Sequence, residues 1–219
     1  MPSVSIAGAE LVLLASGAAY APQHGTLLVA DAHFGKAASF RRLGVPVPES
    51  TTGGTLEALS EALARTGARR LVFLGDLLHA RGGRSPAMFE SLARWRRAHA
   101  RLAVALVGGN HDRHAGPPPD ELGIEPLDEG TRLGPFALGH EPRERAGAYV
   151  LAGHWHPCVR VSQGFESLRL PCFWFGRAVG VLPAFGSFTG MHPIEARPGD
   201  RVIAIAGATL RELPIADER

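Results

Sequence analysis

The chain has 219 residues, enough for one large domain or two small ones at roughly 150 residues per domain. A net charge of +2, with 20% charged and 45% hydrophobic residues, excludes a disordered chain and a strong polyelectrolyte. The apolar runs stay short of the roughly 18 residues that span a bilayer, and two cysteines, Cys158 and Cys172, do not make a disulfide framework. We therefore expect a single domain, 1–219, that is cytoplasmic and not bound to a membrane.

The first half of the chain alternates short apolar runs with segments of helical periodicity. An early stretch, Leu11–Ala21, is interpreted as one strand, and further strands are predicted at Thr26–Ala30, Arg70–Leu74 and Leu102–Val107. Helices are predicted from Thr52 to Arg65, with Thr51 or Thr52 as N-cap, and from Ser85-Pro86 to about Ala100. This βαβαβ order predicts parallel strands that are joined by crossover helices.

Strand-like runs separated by turn residues dominate the second half, where helical periodicity fades. The runs are Thr131–Leu138, Tyr149–Ala152, Val159–Ser162, Leu168–Phe175, Val179–Leu182 and Arg201–Ile205. Their succession favours a mainly antiparallel sheet. Gly116–Pro119 is the best candidate for a domain boundary, but we interpret it as a loop because the residues of one predicted site lie on both sides of it.

Residues of metal-ligand type follow five apolar runs. They are Asp31-Ala32-His33, Gly75-Asp76, Gly109-Asn110-His111-Asp112, Gly139-His140 and Gly153-His154-Trp155-His156. Ligand sites in open α/β sheets lie beyond the carboxyl ends of strands, so these clusters can converge. Carboxylate, imidazole and amide oxygen suit manganese, iron or zinc, and two ions roughly 3.5–4 Å apart can clamp an in-line displacement at phosphorus. The glycines before Asp76, Asn110, His140 and His154 are expected to make tight turns.

The order D-x-H, G-D, G-N-H-D, G-H and G-H-x-H resembles the calcineurin-like metallophosphoesterase superfamily, over about Thr26 to Pro157. Three stretches, Asp31–Arg42, Gly75–His79 and Leu182–Gly190, are similar to its DNA-ligase-associated branch. The resemblance implies an α/β fold in which two sheets form a β-sandwich flanked by helices. It also implies two divalent metal ions, with manganese expected and iron or zinc as alternatives. The activity implied is that of a DNA endonuclease in DNA repair, in functional association with a DNA ligase and a helicase.

Motif by motif, the resemblance assigns metal ligands and acid–base residues. It implies a first metal held by Asp31, His33, Asp76 and His156, and a second held by Asp76, Asn110, His140 and His154, with Asp76 bridging. His111 would be the general acid toward the leaving oxygen. Three residues after the bridging aspartate, serine/threonine phosphatases of the superfamily have another aspartate, whereas this chain has His79, as one of its nuclease branches does. We therefore expect His79 near the leaving group or the scissile phosphate, and the difference disfavours protein phosphatase activity.

Each of the other candidate residues has two possible interpretations. Asp112 either orients His111 or caps the following loop. Lys36, the chain's lone lysine, and Arg113 lie beside motif loops and are candidates for phosphate contacts, although a single surface arginine is usually just solvated. Trp155 lies between two predicted ligands, and packing is a simpler expectation for it than base stacking.

The sequence thus predicts a metal-dependent phosphodiesterase that acts on single-stranded or flexible DNA, because short loops at a sheet end offer no long groove for a duplex. The alternative is a small-substrate phosphoesterase that acts on nucleotides or nucleotide–lipid pyrophosphates. A lipid substrate would require an apolar cap, which the sequence does not show after the third predicted strand. A non-catalytic scaffold on this fold would have broken ligand motifs, whereas every ligand position here holds a competent residue.

Overall fold

The computed structural model describes residues 1–47, 51–163, 166–186 and 189–215, within which the chain forms sixteen strands and four α-helices. The strands are β1 (Ser3–Ile6), β2 (Ala9–Leu13), β3 (Ala19–Ala21), β4 (Thr26–Val29), β5 (Arg70–Leu74), β6 (Ala103–Val107), β7 (Ile124–Leu127), β8 (Thr131–Leu133), β9 (Phe136–Leu138), β10 (Tyr149–Ala152), β11 (Pro157–Gln163), β12 (Glu166–Phe175), β13 (Val179–Val181), β14 (His192–Pro193), β15 (Arg201–Ala206) and β16 (Thr209–Leu213). The helices are α1 (Lys36–Arg42), α2 (Thr51–Thr66), α3 (Pro86–Ala98) and α4 (Asn110–Ala115). Ser187 and Phe188, part of the family-like stretch Leu182–Gly190, lie outside the described residues.

The first sheet has seven described strands in the order β1-β2-β3-β4-β5-β6-β7. The strands from β4 to β7 run parallel, with α2 and α3 as crossovers, which confirms the predicted βαβαβ unit. The Ser85 hydroxyl accepts a hydrogen bond from the Met88 N–H at 3.3 Å, as expected of the N-cap of α3. Val29 is level with Phe73 in β5, so the chain leaves neighbouring strands at the same edge.

The second sheet runs β14-β11-β12-β13-β10-β9-β8, with β15 and β16 continuing from β12. It is mainly antiparallel, as the sequence predicts, but β10 is parallel to both of its neighbours, β9 and β13. The parallel pairing matters for the site because β9 and β10 then end at the same edge. The motifs Gly139-His140 and Gly153-His154 therefore follow strands that end side by side.

Apolar side chains pack between the two sheets and under the helices. The core between the sheets joins Leu28 and Val72 of the first to Phe136, Leu151 and Phe173 of the second. A second core lies between the first sheet and the helices, where it includes Leu59, Leu63, Met88 and Trp95. The architecture is the predicted two-sheet α/β sandwich with helices, while the assignment of residues 1–219 to one domain stays a prediction.

Two predicted strands are wrong in extent, and in each a glycine turns the chain. Leu11–Ala21 is not one strand, because it is divided between β2 and β3 by a turn in which Gly17 has φ of 91°. Thr131–Leu138 is a hairpin of β8 and β9, with Gly134 at φ of 59°. Both values lie in the left-handed region that glycine enters without steric cost. No helix in the described part of the chain is long and apolar enough to cross a membrane.

Candidate metal centre

The seven predicted ligand residues meet where the two sheets end together. Asp31, Asp76 and Asn110 follow the parallel strands β4, β5 and β6, while His140 and His154 follow β9 and β10. A bridge between Ala30 and Ala184 connects the two edges. The Asp31 carboxylate also accepts a hydrogen bond from the main-chain N–H of His154, in the loop after β10, at 2.8 Å. Convergence of these distant segments is the arrangement that the sequence predicts. That the side chains bind metal stays a prediction at this point.

One group of ligand atoms consists of Asp31, His33 and His156, whose donor atoms lie within 4.8 Å of one another. The Nε2 atoms of the two histidines are 3.3 Å apart, and Asp31 Oδ1 is 3.6 Å from His156 Nε2. Asp76 Oδ2 approaches the same group, at 3.8 Å from His33 Nε2. This group is the set of side chains that the sequence assigns to a first metal.

The adjoining group consists of Asp76, Asn110, His140 and His154. His140 Nε2 is 2.8 Å from Asn110 Oδ1, 3.1 Å from His154 Nδ1 and 3.5 Å from Asp76 Oδ1. Asp76 Oδ2 thus faces the first group and Asp76 Oδ1 faces the second. This carboxylate lies where a ligand shared by two ions must lie.

Main-chain carbonyls determine which nitrogen of His140 and of His156 faces the centre. His140 Nδ1 is 3.1 Å from the Leu74 carbonyl and His156 Nδ1 is 3.0 Å from the Gly190 carbonyl. A carbonyl only accepts, so each Nδ1–H donates and the Nε2 of the neutral ring keeps its lone pair. The His140 lone pair therefore faces the Asn110 oxygen, which also only accepts. Such lone pairs repel at this distance, whereas a cation held between them would be attracted to both.

Some polar atoms of this buried cluster have no hydrogen-bond partner among the described residues, and burial shifts the pKa of several of its groups. Asp31 Oδ1 is buried and has no hydrogen-bond partner among the described residues. Burial lowers the pKa of His33 to about 2 and also lowers the pKa of His154, so both rings offer lone pairs at neutral pH. Burial raises the pKa of Asp76, and the Asp31 carboxylate raises it further. Oxygen and nitrogen donors of this kind fit divalent ions such as manganese, iron or zinc.

Backbone strain is concentrated at the predicted ligands. Six described residues other than glycine have positive φ, and five of them, with φ from 47° to 71°, are predicted ligands: Asp31, His33, Asp76, His154 and His156. The sixth, Ala7, lies in the turn between β1 and β2. Left-handed backbone is uncommon outside glycine, costs of order 1–3 kcal/mol per residue and tends to cluster at functional sites. The strained residues thus coincide with the predicted ligands, as expected of a functional site.

The motif glycines serve the site in a way that the sequence only partly predicts. Gly75 has φ of 84°, as a tight turn requires, and a Cβ there would overlap the His140 imidazole. Gly109 has extended backbone with φ of −91°, so the prediction of a tight turn is wrong for it. Glycine is needed there because a Cβ would overlap the Asp76 carboxylate.

His111 and His79 form a second imidazole pair beside the shared aspartate. His111 Nδ1 is 2.7 Å from the His79 carbonyl, and His111 Nε2 is 3.9 Å from Asp76 Oδ2. The two rings stack with centroids 4.9 Å apart, and the His111 side chain is 37% exposed. Burial lowers the pKa of His79 to about 4. The imidazole of His111 is thus both held in orientation and open to a substrate.

The structure gives Asp112 a position that neither sequence interpretation describes. Its buried carboxylate accepts hydrogen bonds from the N–H groups of Leu78 at 2.8 Å, Gly109 at 2.9 Å and Leu77 at 3.3 Å. It therefore ties the loop after β5 to the beginning of α4. Orientation of the His111 ring falls to the His79 carbonyl instead.

The two predicted phosphate-binding residues line two different cavities. Lys36 lines a cavity of about 20 Å³ beside His33, and burial lowers its pKa although Asp31 and Asp76 raise it. Arg113 is exposed in a groove of about 400 Å³ that Glu129 also lines. Glu129 also lies at the centre, where its Oε1 accepts a hydrogen bond from the His140 N–H at 2.9 Å. No motif marks this glutamate, since only the folded hairpin of β8 and β9 brings it to His140.

The fold is similar to that of a known nuclease over nearly the whole of both chains. The crystal structure of Pseudomonas putida nuclease MPE superposes on this structure with a TM-score of 0.85. The two sequences are 42% identical, and the match covers 97% of this chain and 99% of the nuclease chain. YfcE, a phosphoesterase from E. coli, is 16% identical with a TM-score of 0.41, covers 86% of this chain and 97% of its own, and is too dissimilar to bear on function. No protein-family model and no curated protein matches the sequence of this chain.

The paired ligand groups on a two-sheet sandwich, together with 42% identity over nearly the whole length of nuclease MPE, define the class of protein. The chain belongs to the calcineurin-like metallophosphoesterases, as its motifs suggest. It is therefore a hydrolase whose family uses divalent metal ions.

Proposed function

We propose that this metallophosphoesterase is a phosphodiesterase with two metal ions that cleaves DNA internally and prefers single-stranded or flexible DNA. The observation that carries the proposal is the sharing of Asp76, whose Oδ2 faces His33 at 3.8 Å and whose Oδ1 faces His140 at 3.5 Å. A shared carboxylate between two lone-pair clusters supports two adjacent ions rather than one.

Each residue around the centre has a part in the proposed reaction. Asp31, His33 and His156 would hold one ion, Asn110, His140 and His154 the other, and Asp76 both. When bound, the ions supply an activated water and neutralise charge that develops on the phosphoryl oxygens. His111 donates a proton from Nε2 to the departing sugar oxygen, while its Nδ1–H stays on the His79 carbonyl. The His79 ring, stacked on His111, holds the donor in place.

Similarity and basic side chains support DNA as the substrate. The relative with 42% identity is a nuclease by name. Lys36 and Arg113 line two different cavities, and each would contact a phosphate of the strand. Manganese as the metal, action in DNA repair, functional association with a DNA ligase and a helicase, and a cytoplasmic location belong to the same proposal.

A matrix of metals and substrates tests this function. Full-length protein loaded with manganese, iron or zinc is offered circular single-stranded DNA, duplex DNA, nucleotide diesters and a chromogenic phosphodiester. We expect manganese to support linearisation of the single-stranded circle, since only an endonuclease opens a circle. Hydrolysis of nucleotide diesters with intact circles would replace this function by the small-substrate activity. An absence of hydrolysis with every metal would end both.

A further inference from the structure

Trp155 is the one residue between His154 and His156, yet its side chain does not pack into the core. It is 42% exposed, beside two ligand residues of the centre. Water-exposed indole is costly because the ring is large and apolar, and packing, the simpler expectation from the sequence, leaves its exposed face unexplained.

Trp155 lines a groove that begins at the metal centre. The groove has a volume of about 820 Å³, and His154 belongs to its lining as well as to the centre. Trp174 forms its wall, with a ring centroid 5.4 Å from that of Trp155 and an interplanar angle of 41°. A volume of this size lies within the range of sites that bind small organic groups.

The aromatic wall is fixed in place by hydrogen bonds and by backbone geometry. Trp174 Nε1 donates to Asp200 Oδ2 at 2.9 Å, which prevents the ring from turning. The main-chain N–H of Trp155 donates a hydrogen bond to the Gly153 carbonyl at 2.8 Å. Positive φ at His154 and His156 constrains the backbone on both sides of Trp155. The Trp174 ring and the main chain at Trp155 are thus held in position, so little conformational entropy of these groups is lost when a flat group stacks in the groove.

Charges of both signs line the groove. Arg177 and Arg197 lie there together with Glu144, Glu195 and Asp200. Because the carboxylates offset the guanidinium groups, the groove as a whole does not attract a polyanion strongly. A ligand that enters it must be recognised by its aromatic face rather than by its phosphates.

We propose that Trp155 and this groove form a stacking subsite for one unpaired nucleobase of the strand whose phosphate lies at the metal centre. The inference rests on the proposed function for its ligand and extends it from the scissile phosphate to the neighbouring base. A paired base cannot leave its stack to enter the groove, so the subsite gives a physical basis for preference toward single strands.

Binding measurements on the full-length, metal-loaded protein test the subsite. The probe is a fluorescein-labelled phosphorothioate oligothymidylate that resists cleavage, and its matched partner has abasic residues in place of thymidines. We expect the wild type to bind the base-bearing probe on the order of tenfold more tightly than the abasic probe, and W155A to lose this difference. W155F keeps most of it, since a phenyl ring still offers a face for stacking. The difference is insensitive to salt, unlike a phosphate contact.

The matched control is L168A, which removes an apolar side chain that is 61% exposed on β12 and does not belong to the lining of the groove. L168A binds both probes as the wild type does. Equal affinity of the wild type for both probes overturns the subsite, and this result holds even if W155A does not fold. Equal losses by W155A for both probes also overturn it, because they indicate a structural role. Base-dependent binding by a protein that hydrolyses no phosphodiester overturns the proposed function and leaves the subsite standing.

Discussion

The main-chain carbonyl of His79 lies 2.7 Å from Nδ1 of His111, and the two imidazole rings stack at 4.9 Å between centroids. A main-chain carbonyl fixes the tautomer of His111 because it can only accept, which leaves Nε2 as the atom that exchanges a proton. The orientation of the proposed acid therefore depends on the loop after β5. Asp112 holds that loop through the N–H groups of Leu77 and Leu78.

Replacement of His111 by alanine should slow cleavage of DNA by about 10²–10⁴-fold, the usual contribution of a general acid. The loss should be much smaller for a phosphodiester with a p-nitrophenolate leaving group, which departs without a proton. Rates on both substrates, with metal content measured in parallel, check this. Equal losses on the two substrates, at unchanged metal content, would contradict the role of His111 as the acid.

Replacement of Asp112 by alanine should destabilise the protein by roughly 1–3 kcal/mol or more, because three buried N–H groups lose their acceptor. Urea denaturation measures the change in free energy of unfolding. D120A removes an exposed carboxylate and should stay within about 0.5 kcal/mol of the wild type. If D112A is as stable as D120A, the three buried hydrogen bonds to the Asp112 carboxylate contribute nothing to the free energy of unfolding.

Replacement of Asp76 by asparagine should reduce hydrolysis on the order of 10³-fold, since charge stabilisation by bound metal is worth several kcal/mol. The variant loses the negative charge that faces both ligand groups at 3.8 Å and 3.5 Å. Mass spectrometry of the metal-loaded protein should give fewer ions per chain than in the wild type. D120N, at an exposed position, is the control. Wild-type metal content and rate in D76N would rule out a bridging role.

Replacement of Gly75 by alanine should remove the ion that His140 helps to hold and so abolish hydrolysis, because the new Cβ displaces the His140 ring. Its φ of 84° adds a backbone penalty of about 1 kcal/mol. The matched variant is G54A in α2, where the new Cβ would contact no other atom. Because alanine favours the helix more than glycine does, G54A should stabilise the helix by about 0.5–1 kcal/mol. Activity in G75A equal to that of G54A would mean that His140 is not needed.

The sequence predicts the site better than it predicts the sheets around it. Ligand-type residues behind buried strands are visible in the chain, so Asp31, Asp76 and Asn110 could be found from β4, β5 and β6. The parallel pairing of β10 with β9 and β13 could not, because short apolar runs carry no information on strand direction. Helix α1 was also missed, since seven residues show too little periodicity.

Contacts made by the main chain are the part of the site that no sequence pattern reveals. The carbonyls of Leu74 and Gly190, which fix His140 and His156, belong to residues with no chemical signature. Glu129 is likewise invisible, because its contact with the His140 N–H depends on the hairpin fold. The exposure of Trp155 follows from the strained turn around it, which is a property of the folded chain.

Anomalous scattering from crystals grown with manganese tests the central claim most directly. We predict two peaks on either side of the Asp76 carboxylate, one among Asp31, His33 and His156 and the other among Asn110, His140 and His154. Each peak should be absent from crystals of D76N or much weaker there. A single peak elsewhere on the molecule, or no peak among these side chains at saturating manganese, would contradict the account.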